Sequence, residues 1–163
     1  MSEASSEHDG ADGRAVQPVP AITLPPYAGL LGISISDLAV EGEAPILQME
    51  YSDALSGRPG HLHGGAIGGL LEMAAHAALT ASLNASNLPP KFKPIGITID
   101  YVRGGKHLTT YARGKVTRVG RRVATVVGEA WQGADGPQIA AARLHMLLTK
   151  VEPDDPDLEP KAG

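Results

Sequence analysis

The residues with the most chemical potential lie between positions 61 and 76, in the run His61-Leu-His63-Gly64-Gly65-Ala-Ile-Gly-Gly-Leu-Leu-Glu72-Met-Ala-Ala-His76. Glu72 is the only Asp, Glu, Lys or Arg between Arg58 and Lys91. A lone carboxylate in so apolar a run is costly to bury unless water, a partner or a ligand reaches it. That makes it a candidate nucleophile or general base. His76 follows one helical turn later, on the same face, where it could orient the carboxylate. Upstream, Gly64 and Gly65 open the helix. Without side chains they let a ligand approach the backbone closely. The first N–H groups of a helix lack internal acceptors and lie at the positive end of its dipole. Such a start can hold an anion, or a carbonyl oxygen gaining negative charge. The plainer reading of the glycine pair, a tight loop-to-helix turn, stays open at this point.

Several chemistries are excluded or unsupported. The chain has no cysteine, so thiol nucleophiles, disulfides and cysteine-ligated zinc are out. His61, His63, Glu72 and His76 could be mistaken for a metal set. Their spacing has no supporting second layer of ligands, and we expect no metal and no cofactor. There is no Gly-x-Ser-x-Gly elbow, Walker loop or dinucleotide fingerprint.

The elements that must position these residues follow from patterning. A chain of 163 residues suits one domain with a real core. Residues 1–20 and 151–163 read as disordered acidic tails, with net charges of −3 and −4 against −4 for the whole chain. That leaves +3 for residues 21–150. The domain is read as 24–150. The N-terminus lacks the apolar core of a signal peptide, and the expectation is a cytoplasmic protein. Residues 65–84 form an alanine-rich helix that is apolar nearly all round, a pattern of burial within protein. The Gly, Ala and polar content of residues 59–90 argues against a membrane span. A helical turn near 27–31 and strands at 32–38 and 45–52 precede the helix. Strands at 94–103, 109–118, 122–132 and 138–150 follow, with tight turns at 119–121 and 133–136. Short connections predict an antiparallel meander. The whole reads as an α+β domain, an antiparallel sheet wrapped around one central helix.

Nine basic residues lie between Lys91 and Arg122 against one acid, Asp100. Such a sector suits a small polyanion, or is simply a solvated strand face. Nucleic acid is not expected. The sector offers only Phe92, Tyr101 and Tyr111 for stacking, and no binding motif.

Taken together, these residues resemble a family. HGGAIGGLLEMAAHAAL is similar to the signature of hotdog-fold acyl-CoA thioesterases of the phenylacetate-pathway (PaaI-like) and 4-hydroxybenzoyl-CoA type. In these, an acid follows the His of His-Gly-Gly by nine residues, as Glu72 follows His63. ITIDYVRGG resembles the family's strand after the helix. ARGKVTRVGRRVATVVGEAW resembles its hairpin, and ADGPQIAAARLHMLL its last strand. The resemblance spans about residues 40–150. It implies a hotdog fold, a homodimer or homotetramer with sites between subunits, and an acyl-CoA substrate. It also implies roles. The Gly64 N–H would polarise the thioester carbonyl, and Glu72 of the other subunit would attack it or activate water. His63 would shape the loop beneath. Gly65, His61 and His76 would contact substrate, and Arg103, Arg121 and Arg122 are candidates for its phosphates. Two positions depart from the family. Gly57 stands six residues before His63, where many members carry Asn or Gln, so Ser56 or His61 would have to substitute. His76 stands where Thr or Ser is more usual. Two other readings remain: a non-catalytic acyl-CoA-binding hotdog protein, favoured by Gly57, and a hotdog hydratase or dehydratase, whose His-to-acid spacing is longer than any here.

Overall fold

The computed structural model describes residues 22–38, 43–86, 91–133 and 135–149. Both acidic tails lie outside the described residues. A short helix, α1 (Pro26–Leu30), leads into β1 (Ile33–Ile35) and β2 (Ile46–Met49). A 3-10 turn at Asp53–Leu55 and a loop then bring the chain to the long helix α2 (Gly64–Ala85). Four longer strands follow: β3 (Phe92–Tyr101), β4 (Thr110–Val119), β5 (Val123–Gln132) and β6 (Gln138–Leu148). All pairings are antiparallel. The six strands form one sheet in the order β1-β2-β4-β5-β6-β3, curled around α2. This is the hotdog arrangement.

The helix is buried on nearly every side because the sheet wraps it. Leu70, Leu71, Ala74, Ala75, Ala77 and Leu79 are fully buried. Facing them, Ala112, Ala124, Val126, Ala130, Ala140, Leu144 and Met146 alternate inward from β4, β5 and β6. Small residues set the closeness of the contact. Gly114 and Gly128 pair across β4 and β5. A Cβ on Gly114 would lie 2.6 Å from the Ala74 carbonyl oxygen, and one on Gly128 would lie 3.3 Å from Leu71. The two glycines form the groove in which the helix rests. Gly64–Ala85 is long and apolar enough to cross a membrane, but 72% of that window is covered by protein.

The expected strand and helix positions stand, with ends shifted by a few residues; β1 is much shorter than expected. The 138–148 segment is strand throughout, as its alternation predicts. The meander needs one correction. β3 does not neighbour β4. It crosses to the far side of the sheet and pairs with β6. The link from Tyr101 to Thr110 is too long for a tight turn, and the free edge of β4 is partly taken by β2. β3 therefore forms an edge, with Ile95, Ile97 and Tyr101 exposed.

Candidate active site

The loop before α2 is held by its own backbone. Gly57 N–H donates to the His61 carbonyl (3.0 Å), His61 N–H to that of Arg58 (3.0 Å), and His63 N–H to that of Leu55 (2.8 Å). Gly60 takes φ 78° to close the turn, a conformation that favours glycine. Leu62 N–H reaches across to the Gly105 carbonyl (3.0 Å). Leu62 is buried and its neighbours are not. Its burial turns His61 and His63 together toward a cleft of about 560 Å³. The opposite wall is the end of β3 and the residues after it, Tyr101, Val102, Arg103, Gly104 and Gly105.

At the base of this cleft α2 begins. His63 is its N-cap, and its Nδ1 accepts from the Gly65 N–H (2.9 Å). The N–H groups of Ala66 and Ile67 donate to the His63 carbonyl. The Gly65 N–H is thus committed, and the Gly64 N–H is the first-turn donor left free. The Gly64 carbonyl accepts from the Tyr101 hydroxyl (2.8 Å). Arg58, Arg103, His61 and His63 line the same cleft as this donor, and no carboxylate is among the described lining residues. The cleft can therefore take an anionic ligand and polarise a carbonyl. Arg103 is steadied by a bond from Nη1 to the Gln138 carbonyl (2.7 Å).

Glu72 is not in this cleft. It lies eight residues along α2 from Gly64, about 12 Å at 1.5 Å per residue. It is half-buried, and among the described residues its carboxylate has no hydrogen bond or ion pair. One turn on, His76 packs its ring against Phe92 of β3 (4.8 Å between centroids). The Nδ1 of His76 and the Oγ1 of Thr80 are buried without partners. Burial lowers the His76 pKa below its ordinary 6.5, which keeps the ring neutral. Glu72, His76 and Thr80 thus form one polar stripe on an otherwise apolar helix.

The other sequence-derived residues separate. Arg121 and Arg122 sit at the β4–β5 turn, at the Phe92–Leu148 end of the sheet; Arg103 sits at the Tyr101–Ala140 end. A strand of about nine steps puts these ends roughly 30 Å apart. Within one chain only Arg103 belongs to the cleft. Gly57 has a structural reason to be glycine: a Cβ would lie 3.1 Å from the His63 Cα. Ser56 is not among the residues that line the cleft. Its Oγ lies 3.0 Å from the Tyr51 hydroxyl, which itself donates to Asp53 (2.6 Å). The bond to Asp53 pushes the Tyr51 phenol up from 10.0. Sequence reasoning missed Arg58, and it missed Tyr101 as a helix anchor. Arg58 stands in the same glycine-rich loop and was within reach. Tyr101 meets Gly64 across 37 positions, a contact that no local pattern encodes. Among the described residues, no group of three His, Asp or Glu side chains could hold a metal.

A larger cleft of about 740 Å³ lies along the C-terminal half of α2, beside Ala78, Ala81, Ser82 and Ala85. Its Arg113 is already matched by Glu43 (3.2 Å) and Glu129 (2.9 Å). It contains none of the free donors that converge near Gly64.

Residues 59–138 match the family model described as the thioesterase superfamily. No curated protein matches the chain. Among solved structures, a protein from Chromobacterium violaceum is 33% identical, with 78% of this chain and 85% of that one covered and a TM-score of 0.56. A phenylacetic acid degradation-related protein from Ralstonia eutropha JMP134 is 27% identical over 78% of this chain and 92% of its own, with a TM-score of 0.64. Zebrafish thioesterase superfamily member 2 is 20% identical over 72% and 82%, with a TM-score of 0.61, and supports the fold alone. The matched region contains the helix-opening glycines, Glu72 and strands β3, β4 and β5. The chain belongs to the thioesterase superfamily, a hotdog-fold group whose membership points to thioester hydrolysis.

Proposed function

We propose that this protein hydrolyses acyl-CoA thioesters to the free acid and CoA, in a site shared by two copies, with Glu72 as the catalytic carboxylate. The observation that carries this is the separation of two halves of one chemistry. The free Gly64 N–H, which suits the thioester carbonyl oxygen, is about 12 Å along the helix from Glu72. Reacting groups must approach to roughly 3–3.5 Å. One chain cannot bring both to the same carbon.

The edge strand supports how a second copy would supply the missing half. β3 runs antiparallel to α2, with Tyr101 at Gly64, Ile99 at Gly68 and Phe92 at His76. Its outer edge is unpaired among the described strands and carries exposed Ile95 and Ile97. Exposed apolar edges invite pairing. A two-fold axis through the middle of β3 reverses strand and helix together. It carries Glu72 of one copy toward Gly64 of the other.

The chemistry then follows. The carbonyl oxygen accepts from the Gly64 N–H as negative charge develops on it. Glu72 of the second copy attacks the carbonyl carbon or takes a proton from an attacking water. Arg58 and Arg103 suit the phosphates of CoA; Arg121 and Arg122 would contribute only from another subunit. Thiol release from a panel of medium-chain and aryl acyl-CoAs tests the reading, with wild type and Glu72→Ala side by side. We expect turnover that Glu72→Ala lowers by about a hundredfold or more. Tight CoA binding with no turnover across the panel would favour a non-catalytic binding protein instead.

A further inference from the structure

His61 and His63 line the same cleft, two residues apart, yet their backbone partners demand opposite ring tautomers. The His61 Nδ1 lies 3.1 Å from the Pro59 carbonyl oxygen. A carbonyl only accepts, so this nitrogen carries the proton. The neutral His61 ring therefore has its lone pair on Nε2. At His63 the order is reversed. Its Nδ1 accepts the Gly65 N–H at 2.9 Å, so it carries no proton, and the neutral ring has its N–H at Nε2.

Both rings are held in place. The His61 backbone is tied at N–H and carbonyl to Arg58 and Gly57. Its ring lies over Gly104, where a Cβ would come 2.8 Å from Cδ2 and 3.2 Å from Nε2. Glycine at 104 leaves space for the ring at the cleft wall. Among the described residues, nothing bonds to the Nε2 of His61 or of His63. The two histidines thus offer one acceptor and one donor in the cleft that holds the free Gly64 N–H.

We propose that His61 holds the attacking water through Nε2, while His63 donates from Nε2 to the carbonyl oxygen alongside Gly64. This rests on the thioester-hydrolysis reading and adds to it the group that orients the water. The water has two O–H bonds. One donates to His61 Nε2 and stays intact. The other proton passes to Glu72 of the second copy as the water oxygen bonds to the carbonyl carbon. The carbonyl pair moves onto oxygen and is held by Gly64 and His63. On collapse the C–S bond breaks, sulfur takes the pair, and the proton returns from Glu72 to the thiolate. The products are the carboxylic acid and the thiol. With two acceptors fixed, the water's free lone pair is directed at carbon, a positional gain.

Two measurements on the full-length protein test this. Long-range 1H–15N correlation spectra of histidine-labelled protein are expected to show His61 protonated at Nδ1 and His63 at Nε2. The same tautomer at both rings would overturn the proposal. Kinetics of wild type, His61→Leu and His61→Gln are compared on an acyl-CoA and on the matching acyl-N-acetylcysteamine thioester, which lacks the nucleotide. His61→Leu is expected to lower kcat by about tenfold or more on both substrates, the scale of a lost hydrogen bond to the reacting water. KM should change little. His61→Gln, which keeps an acceptor, should recover part of the rate. A change in KM confined to the CoA substrate would make His61 a phosphate contact and sink the proposal, as would a His61→Leu rate equal to wild type. Wild type inactive on both substrates would instead remove the thioesterase reading itself.

Discussion

The hydroxyl of Tyr101, the last residue of edge strand β3, donates a 2.8 Å hydrogen bond to the carbonyl of Gly64, the first residue of α2. The edge strand, which the proposed shared site sets against a second copy, is thereby tied to the turn that offers the free N–H. Tyr101→Phe keeps the ring and loses this bond. We expect about 0.5–1.5 kcal/mol of lost stability in urea unfolding, and a fall in kcat because the helix start is less fixed. Unchanged kcat would show that Gly64 is positioned without Tyr101.

Gly64→Pro removes the free N–H with little other change. Proline is at home in the first turn of a helix, where its missing N–H has no partner to lose. His63, with φ −68° and ψ 135°, already has the extended conformation that a following proline requires. The added Cβ would meet the Tyr101 ring at 3.3 Å, so a small adjustment is needed. We expect kcat to fall by about 10²–10³, the scale of a lost oxyanion donor, with a thermal midpoint near that of wild type.

Mixing variants tests the shared site. Gly64→Pro and Glu72→Ala, each nearly inactive alone, should regain activity when unfolded and refolded together. If subunits pair at random in dimers, about a quarter of wild-type sites are restored, because one site is intact in half of the dimers. No recovery in protein that has formed mixed dimers would mean that both residues act within one chain.

His76 gives a stability signature. Its pKa is lowered in the folded chain by burial, so the unfolded chain binds the proton more readily. Stability attributable to this ring is therefore complete above its ordinary value of 6.5 and is lost as pH falls from there toward the lowered folded value. Urea unfolding at pH 7.5 and pH 5 reads the difference. His76→Leu should reduce the loss, and an identical pH dependence in the variant would mean that the ring is not buried in solution.

Gly114→Ala tests the groove that seats the helix. The new Cβ would press on the Ala74 carbonyl oxygen at 2.6 Å and the Ala78 Cβ at 2.9 Å. Neither neighbour is a flexible side-chain end, and we expect about 1–3 kcal/mol of destabilisation. Gly29→Ala, with nothing within 4 Å, serves as the exposed comparison and should change stability by about 0.5 kcal/mol or less.

The local parts of this protein were legible in its sequence. Two glycines after His63, a long alanine-rich apolar run with one carboxylate, and strands joined by tight turns at 119–121 and 133–136 report on neighbours a few residues apart. Period and turn chemistry encode such relations directly. The nine-residue step from His63 to Glu72 was visible too, and with it the family resemblance. What the tertiary structure decided depends on contacts between distant segments. β3 joins β6 rather than β4, since the long link from Tyr101 lets the strand choose among edges. The cleft takes its far wall from residues 101–105, and Tyr101 becomes a helix anchor across that gap. Gly65 gives up its N–H to His63, leaving Gly64 as the free donor, while Pro59 fixes the opposite tautomer on His61. The sequence placed Glu72 on the same helix as the glycines, and only the helix's length in space separates it from their cleft. A linear spacing does not say whether two groups can meet, because the rigid rise of the helix between them sets that distance.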